Sequence, residues 1–390
     1  MIGEMSNKCY KIVYCTPSLY MAGGVERVLT LKASYFAEVY GYNITIITTD
    51  GTDKDFFFSL SPKVKVVNLN IDFEEMWHHS FFKRLLLYIT KERLFKKKLT
   101  KELICIKPDI TISLLRREIN FLTDIRDNSK KIGEIHINRA HYRNFTPNRT
   151  NPVKNLFAKY WMCGLVKRIK RLDRFVVLTE YDRQAWQDIP RVDVIPNPLP
   201  FYPDLDNAPR RKRVIAIGRY FDEKGYDLLL KAWAIVEKRC NDWELAIYGD
   251  GNKSYYEKIA SSLNLDKRRC QLYNSIHEVQ KEYLDSSLFV CTSRFEGFGM
   301  GIIEAMACGL PVVAFDCLWG PRSIITNTED GVLVENGNVK MFAEAILYLI
   351  DNPEKLNKMS DNARKNVWRF NIESIALKWK KLFDEVVDES

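Results

Sequence analysis

The sequence predicts an α/β protein of two doubly wound units, each a parallel sheet with helices on its faces. Three observations carry this expectation. Short β-branched runs alternate with segments whose apolar residues recur at helical spacing, the pattern of strands joined by crossover helices. The alternation stops in a Pro-rich, charged stretch, "NPLPFYPDLDNAPRRKR" (197–213), and then restarts. The chain has 390 residues, enough for two domains with full cores.

The elements follow in order. "YKIVYCTPS" reads as a first strand ending in a loop. "GGVERVLTLKASYFAEVYG" carries Val25, Val28, Leu29, Lys32, Phe36 and Val39 at helical spacing and is closed by Gly41. "NITIITTD", "VKVVNLN", "PDITISLL", "KKIGEIHI", "RFVVLTE" and "RVDVIPN" are strand-like, with helical stretches between some of them. After the break come "VIAIGR", a helical "YDLLLKAWAIVEK", "WELAIYGDG", "CQLYN", "SLFVCTS" and "PVVAFD". The C-terminal "FNIESIALKWKKLFDEVV" places Ile372, Ile375, Ala376, Trp379, Leu382 and Phe383 on one helical face.

The stretch "SRFEGFGMGIIEAMACGLPVV" (293–313) sets Glu296 and Glu304 around Gly297, Gly299 and Gly301. On one unbroken helix the glutamates would sit about 80° apart. Each glycine costs roughly 1 kcal/mol in a helix against alanine, so an unbroken helix is disfavoured. The spacing instead predicts a glycine loop carrying Glu296 and a short helix from about Met300, with Glu304 one turn in. Gly309 and Pro311 stop that helix. A glycine loop feeding a helix N-terminus offers free N–H groups and a positive dipole end, which suits phosphate.

Composition is that of an ordinary globular protein, 46% hydrophobic and 28% charged. No run reaches the ~18 apolar residues of a membrane-spanning helix, and the start of the chain lacks the pattern of a signal peptide. Nine cysteines without C-x-x-C or zinc spacing point to reduced, mostly buried thiols in a cytosolic protein. The net charge is +9 but uneven. Residues 81–110 hold nine Lys/Arg against three acids and residues 139–174 hold ten against one, so the rest of the chain is acidic. Two concentrated basic blocks suggest an anionic surface or ligand. A nucleic-acid-binding protein would need aromatic stacking or a known binding module besides, and neither is evident.

In open parallel sheets ligands lie beyond the carboxyl ends of the strands. Those ends carry Gly23–Gly24, His136, Arg219, Gly249–Asp250 and Glu296. In "GRYFDEKG", Arg219 and Lys224 either clamp a diphosphate, with Arg offering a bidentate fork, or form a solvated charged loop. "GGVE" is a glycine turn before a helix. His136 is either a satisfied structural histidine or a catalytic one, and His141 competes with it. "GDG" reads as a tight turn. Dinucleotide and P-loop fingerprints are absent, and no metal-ligand cluster is visible.

Taken together, "GGVERV", "VIPNPL", "IGRYFDEKGYDLLLKAW", "YGDGN", "SRFEGFGMGIIEAMACGLPVVAFD" and "GPRSII…DGVLVE" resemble the GT-B glycosyltransferases, specifically the retaining family 4 (GT4) type with its E-x₇-E segment. The C-terminal half matches almost throughout. The N-terminal half matches at the GG loop, around "GEIHINRAHY" and at its end, and "RSII" stands where relatives often carry "SEII". The resemblance implies two Rossmann-like domains facing across a cleft. These are an acceptor-side domain at 1–198, a linker at 199–212, a nucleotide-sugar-binding domain at 213–371, and a helix at 372–390 returning to the first domain.

The resemblance also implies roles. Glu304 holds the ribose hydroxyls, since an ionised carboxylate is an acceptor-only partner for a diol. Gly297, Phe298, Gly299 and Met300 present backbone amides to sugar and phosphate. Glu296 faces the transferred sugar. Arg219 and Lys224 neutralise the diphosphate leaving group in place of a metal. Gly23 and Gly24 close on the phosphates, and His136 lies near sugar and acceptor. No cofactor or metal is expected beyond the nucleotide-sugar substrate.

The expected activity is retaining transfer of a sugar, from a UDP-linked donor, onto a glycan or a polyprenyl-diphosphate-linked saccharide in surface polysaccharide biosynthesis. Alternatives on the same fold are a nucleotide-sugar epimerase or hydrolase, and a glycan phosphorylase. The expected location is cytoplasmic, peripheral on the inner face of the membrane. "FFKRLLLYITKERLFKKKL" (81–99) and "KNLFAKYWMCGLVKRIKRL" (154–172) either dock on an anionic bilayer or pack their apolar positions into the core with solvated charges.

Overall fold

The computed structural model describes residues 8–139, 142, 152–205, 209–317 and 319–389. It divides into two compact units, Met1–Pro198 with Ile372–Ser390, and Leu199–Asn371.

The first unit runs β1 (Lys11–Cys15), α1 (Gly24–Val39), β2 (Asn43–Thr48), β3 (Lys65–Asn68), α2 (Phe81–Ile106), β4 (Ile110–Ser113), β5 (Lys130–Glu134), α3 (Pro152–Ile169), β6 (Arg174–Val177), α4 (Glu180–Ala185) and β7 (Val192–Val194). Among the described residues these strands pair in parallel in the order β3-β2-β1-β4-β5-β6-β7. The order reverses between β1 and β4. Strands covered on both faces need continuous apolar runs, and Ile12, Val13, Tyr14 and Cys15 are all buried. In α1 the buried stripe is Val28, Leu29, Lys32, Ala33, Phe36 and Ala37. Val39, expected on that stripe, is 57% exposed in the last turn.

The second unit runs β8 (Arg213–Ile217), α5 (Tyr226–Arg239), β9 (Glu244–Tyr248), α6 (Lys253–Ser262), β10 (Cys270–Tyr273), α7 (Val279–Leu284), β11 (Leu288–Cys291), α8 (Met300–Ala307), β12 (Val312–Phe315), α9 (Pro321–Ile324), β13 (Gly331–Val334), α10 (Val339–Asp351) and α11 (Pro353–Val367). Its parallel order is β10-β9-β8-β11-β12-β13, reversing between β8 and β11. Leu229, Leu230, Trp233 and Val236 of α5 bury against Ile247, Phe315 and Phe342 in one core.

In the stretch expected to be a linker, Leu199 and Tyr202 pack on this second unit, because apolar side chains need cover. Leu199 is buried and its N–H donates to the Phe370 carbonyl at 2.8 Å. The Tyr202 hydroxyl donates to the Arg364 carbonyl at 3.2 Å, and its ring meets Trp368 edge-on at 4.6 Å. The terminal helix α12 (Ile372–Asp388) belongs to the first unit. Its Ile375, Ala376, Trp379, Leu382 and Phe383 join Tyr10, Phe36 and Tyr42 in one cluster, and the Tyr10 hydroxyl donates to Asp384 Oδ1 at 2.6 Å.

Among the described residues no helix is long and apolar enough to cross a membrane. All nine cysteines are free, with Cys9, Cys105 and Cys163 exposed and Cys15, Cys240, Cys270, Cys308 and Cys317 buried.

Candidate active site

Where strand order reverses, the loops leaving the two central strands diverge and open a crevice, the usual ligand position of open parallel sheets. In the second unit those loops follow β8 and β11. The first carries Arg219 and Lys224, the second Glu296.

The β8 loop turns back on itself at Gly225, whose φ of +61° is left-handed and where a Cβ would fall 2.1 Å from the Thr292 carbonyl oxygen. Only glycine fits there without displacing backbone. That turn lays the β8 loop against the β11 loop. The Thr292 hydroxyl donates to the Lys224 carbonyl at 3.0 Å, the Arg294 N–H donates to the Glu223 carbonyl at 2.8 Å, and Arg294 binds Asp227 with both carboxylate oxygens at 2.9 Å. The result places Lys224 Nζ 2.6 Å from Glu296 Oε1. The Ser293 hydroxyl donates to the same oxygen at 2.6 Å. Burial works against the Lys224 charge, but the Glu296 carboxylate outweighs it and holds the ammonium above the usual lysine value. Arg219 stays outside this pairing. It is 57% exposed, bonds Glu223 at 2.8 Å, and its guanidinium lies 4.9 Å from the Phe221 ring centre.

Beyond Glu296 the chain passes Gly297 and Phe298 and enters α8 through Gly299, whose φ is +109°. The helix starts at Met300 as the glycine spacing predicts. The Phe298 side chain is buried and meets Phe370 edge-on at 5.5 Å. It anchors the loop, and only its backbone is left for a ligand. A Cβ on Gly320 would come 2.5 Å from Glu296 Cβ and 2.8 Å from the Phe298 carbonyl, so the segment before α9 lies directly against this loop. Glu304 is one turn into α8, 4% exposed, and accepts a bond of 3.3 Å from the Tyr283 hydroxyl.

The first unit holds the remaining candidates. Gly23 caps α1 in extended conformation, and a Cβ there would fall 2.0 Å from Glu26 Oε2. The Glu26 carboxylate thus lies directly against the loop at Gly23. His136 follows β5 with its side chain 8% exposed and Nε2 3.2 Å from Glu134 Oε1. Lys32 Nζ reaches that same oxygen at 2.5 Å, and both Lys32 and Glu134 are 1% exposed. Burial would raise the Glu134 carboxyl, but the Lys32 charge and the hydrogen bonds from Lys32 and His136 prevail and hold it at about 2. Among the described residues His136 Nδ1, which is buried, has no hydrogen-bond partner. His141 lies outside the described residues.

Thus Lys224, Glu296, the 297–300 loop and Glu304 share one end of the second sheet, with Arg219 on the same loop as Lys224. Gly23, Gly24 and His136 belong to the first unit. Lys32, expected only on the helical stripe, and Glu134 were not among the residues expected at the site. Their signal was there, since a lysine on an apolar helix face and a carboxylate inside a strand each require a buried partner.

Both basic segments carry packed and exposed apolar side chains. In α2, Phe95, Leu99 and Leu103 are buried, whereas Leu85 and Leu86 are 52% and 65% exposed. Lys98 donates to the Leu69 carbonyl at 2.6 Å and Lys91 to those of Ile71 and Asp72 at 2.7 Å. In α3, Leu165 and Ile169 are buried while Leu156 and Tyr160 are 71% and 77% exposed. Neither segment is wholly core or wholly surface.

The sequence pattern of the family described as glycosyl transferases group 1 matches residues 203–366. A protein of Haemophilus influenzae described as an uncharacterized glycosyltransferase is 30% identical over 376 residues, 95% of this chain and 99% of its own. A Staphylococcus aureus poly(ribitol-phosphate) alpha-N-acetylglucosaminyltransferase is 33% identical over 266 residues, and the match spans 66% of this chain and 51% of that relative. Among solved structures, TarM superposes with a TM-score of 0.79 at 20% identity, covering 97% of this chain and 99% of its own. Sucrose-phosphate synthase of Thermosynechococcus elongatus gives 0.77 at 20%, covering 98% and 100%. The shared architecture is the GT-B fold. With a relative matched along nearly its whole length, this chain belongs to the group 1 glycosyltransferases and is a transferase enzyme.

Proposed function

We propose that the protein is a retaining, GT4-type transferase that moves a sugar from a UDP-linked donor onto a saccharide acceptor in surface polysaccharide biosynthesis, the acceptor being a glycan or a polyprenyl-diphosphate-linked saccharide. The observation that carries the reading is the Lys224–Glu296 pair at the strand reversal, beside an exposed Arg219 and the glycine start of α8. The positive groups suit a diphosphate, and a carboxylate beside them suits the sugar it carries.

In this reading Lys224 and Arg219 stabilise charge on the departing diphosphate, which takes the acceptor hydroxyl's proton on the face from which it leaves. Glu296 assists electrostatically. Backbone amides of 297–300 hold sugar and phosphate, Glu304 the ribose, Gly23–Gly24 the phosphates, and His136 a sugar or acceptor hydroxyl. The two cations serve where other transferases use a metal, so none is required.

Relatives support the class of product. One of Staphylococcus aureus is named for poly(ribitol-phosphate), one of Bacillus subtilis for poly(glycerol-phosphate), and one of Erwinia amylovora for amylovoran biosynthesis. Anabaena HepE, a solved structure of similar fold, holds UDP and glucose. We further propose that the enzyme is cytoplasmic and docks on the inner face of the membrane through 81–99 and 154–172. The exposed Leu85, Leu86, Leu156 and Tyr160 among lysines and arginines favour this.

A thermal-shift screen against UDP-, GDP-, ADP- and dTDP-sugars tests the donor, and the anomeric configuration of the product tests retention. Stabilisation by UDP-sugars above the others is expected. Donor turnover without any acceptor would favour an epimerase or hydrolase instead.

A further inference from the structure

We propose that Glu134, held by Lys32, is a positioning residue that fixes the tautomer of His136 and keeps Nδ1 as a lone pair for a hydroxyl of the bound saccharide. The inference rests on the assignment of His136 to the transfer site and adds how that imidazole is prepared.

One oxygen organises the cluster. Glu134 Oε1 lies 2.5 Å from Lys32 Nζ and 3.2 Å from His136 Nε2. An ionised carboxylate can only accept, so the Nε2 facing it must carry the hydrogen. In a neutral imidazole Nδ1 is then the acceptor. That atom is buried and has no partner among the described residues, an arrangement uncommon enough to need a reason. A hydroxyl hydrogen is the partner its chemistry fits. The carboxylate is in turn held between two elements. It ends β5, while Lys32 is clamped on α1 with its ammonium 4.3 Å from the Trp379 ring centre of α12. The Glu134 carboxyl is held ionised by its two neighbours despite burial. A fold alone has no need of such a pair, since apolar residues of similar volume often replace a buried ion pair at no loss of stability.

The test uses the full chain labelled with ¹⁵N-histidine. It has five histidines, and the His136 signal is assigned from its loss in His136→Gln. Long-range ¹H–¹⁵N correlation near neutral pH should show His136 protonated at Nε2 only. In Glu134→Gln the amide oxygen must face the Lys32 ammonium and still accepts from Nε2, so tautomer and most turnover should survive. In the double variant Lys32→Met/Glu134→Leu the imidazole loses its acceptor. The tautomers should then mix and kcat should fall on the order of 10²-fold, as for a small misplacement of a reacting group, with donor KM little changed. Thermal melts check folding, and if the double variant fails to fold the wild-type tautomer alone decides. A wild-type His136 protonated at Nδ1, or a folded double variant with the wild-type tautomer, would overturn the positioning role. Full turnover by His136→Gln would instead overturn the assignment of His136 to the site, whatever its tautomer.

Discussion

Lys224 and Glu296, 72 residues apart in sequence, meet at 2.6 Å where the second sheet reverses its strand order. In the proposed function the diphosphate of the donor competes with Glu296 for this ammonium, so donor binding exchanges one anion for another at Lys224 and leaves Glu296 to face the sugar.

Lys224→Ala and Arg219→Ala should each lower transfer by about 10²–10³-fold, the usual effect of removing one group aimed at developing charge. Arg219 is 57% exposed, so its loss should leave the melting temperature unchanged. Steady-state kinetics on the folded variants measures this, and near-normal turnover by both would remove these residues from the site.

The two glutamates should separate by their effect on UDP. Glu304→Ala should weaken UDP binding, because the ribose loses its acceptor. Glu296→Ala should leave UDP affinity unchanged or tighter, since it releases the Lys224 ammonium, while transfer falls. Calorimetry with UDP decides, and equal losses of affinity would mean the two roles are wrongly assigned.

Stability should depend on pH through Asp182, which is 2% exposed at the start of α4. Burial raises its carboxyl to about 6, only partly opposed by the Thr179 hydroxyl, and among the described residues Oδ1 has no partner. A raised carboxyl favours the folded state fully below the ordinary value of 3.8, and that contribution is lost as pH rises through 6. Asp182→Asn should therefore stabilise the protein at pH 7, by up to roughly 3 kcal/mol, and have little effect near pH 4. Melting curves across this range would reject the assignment if the variant's gain did not grow with pH.

Sedimentation with vesicles tests the basic segments. Binding should appear with anionic lipid at low salt, fade as salt rises, and be weak with neutral lipid, each surface cation contributing about 1 kcal/mol. Lys83, Arg93 and Lys97 are exposed, and their replacement by Glu should reduce binding without altering UDP affinity. Lys98 is a poor choice because its ammonium caps the Leu69 carbonyl. Equal indifference to both kinds of vesicle would sink the membrane reading and leave the transferase reading intact.

Much of this protein was legible in the sequence because its signals are local. Ile12 to Cys15 announce a buried strand through one continuous apolar run. Gly297 and Gly299 disfavour a helix before Met300, and Gly309 ends the one that follows. The spacing of Ile375, Trp379 and Phe383 alone gives the terminal helix its apolar face. Each depends only on neighbours within a turn or two, which is the range over which backbone propensity and periodicity act. What the tertiary structure decided are encounters between distant residues. Lys32 and Glu134 are 102 residues apart and meet because α1 packs against the sheet that carries β5. Their mutual neutralisation, and the orphaned Nδ1 of His136, exist only once both are out of water. The division of α2 into a packed face with Leu87, Leu99 and Leu103 and an exposed face with Leu85, Leu86 and Leu94 was equally out of reach. Both faces carry leucines and basic residues, and only a neighbouring element that covers one of them tells them apart.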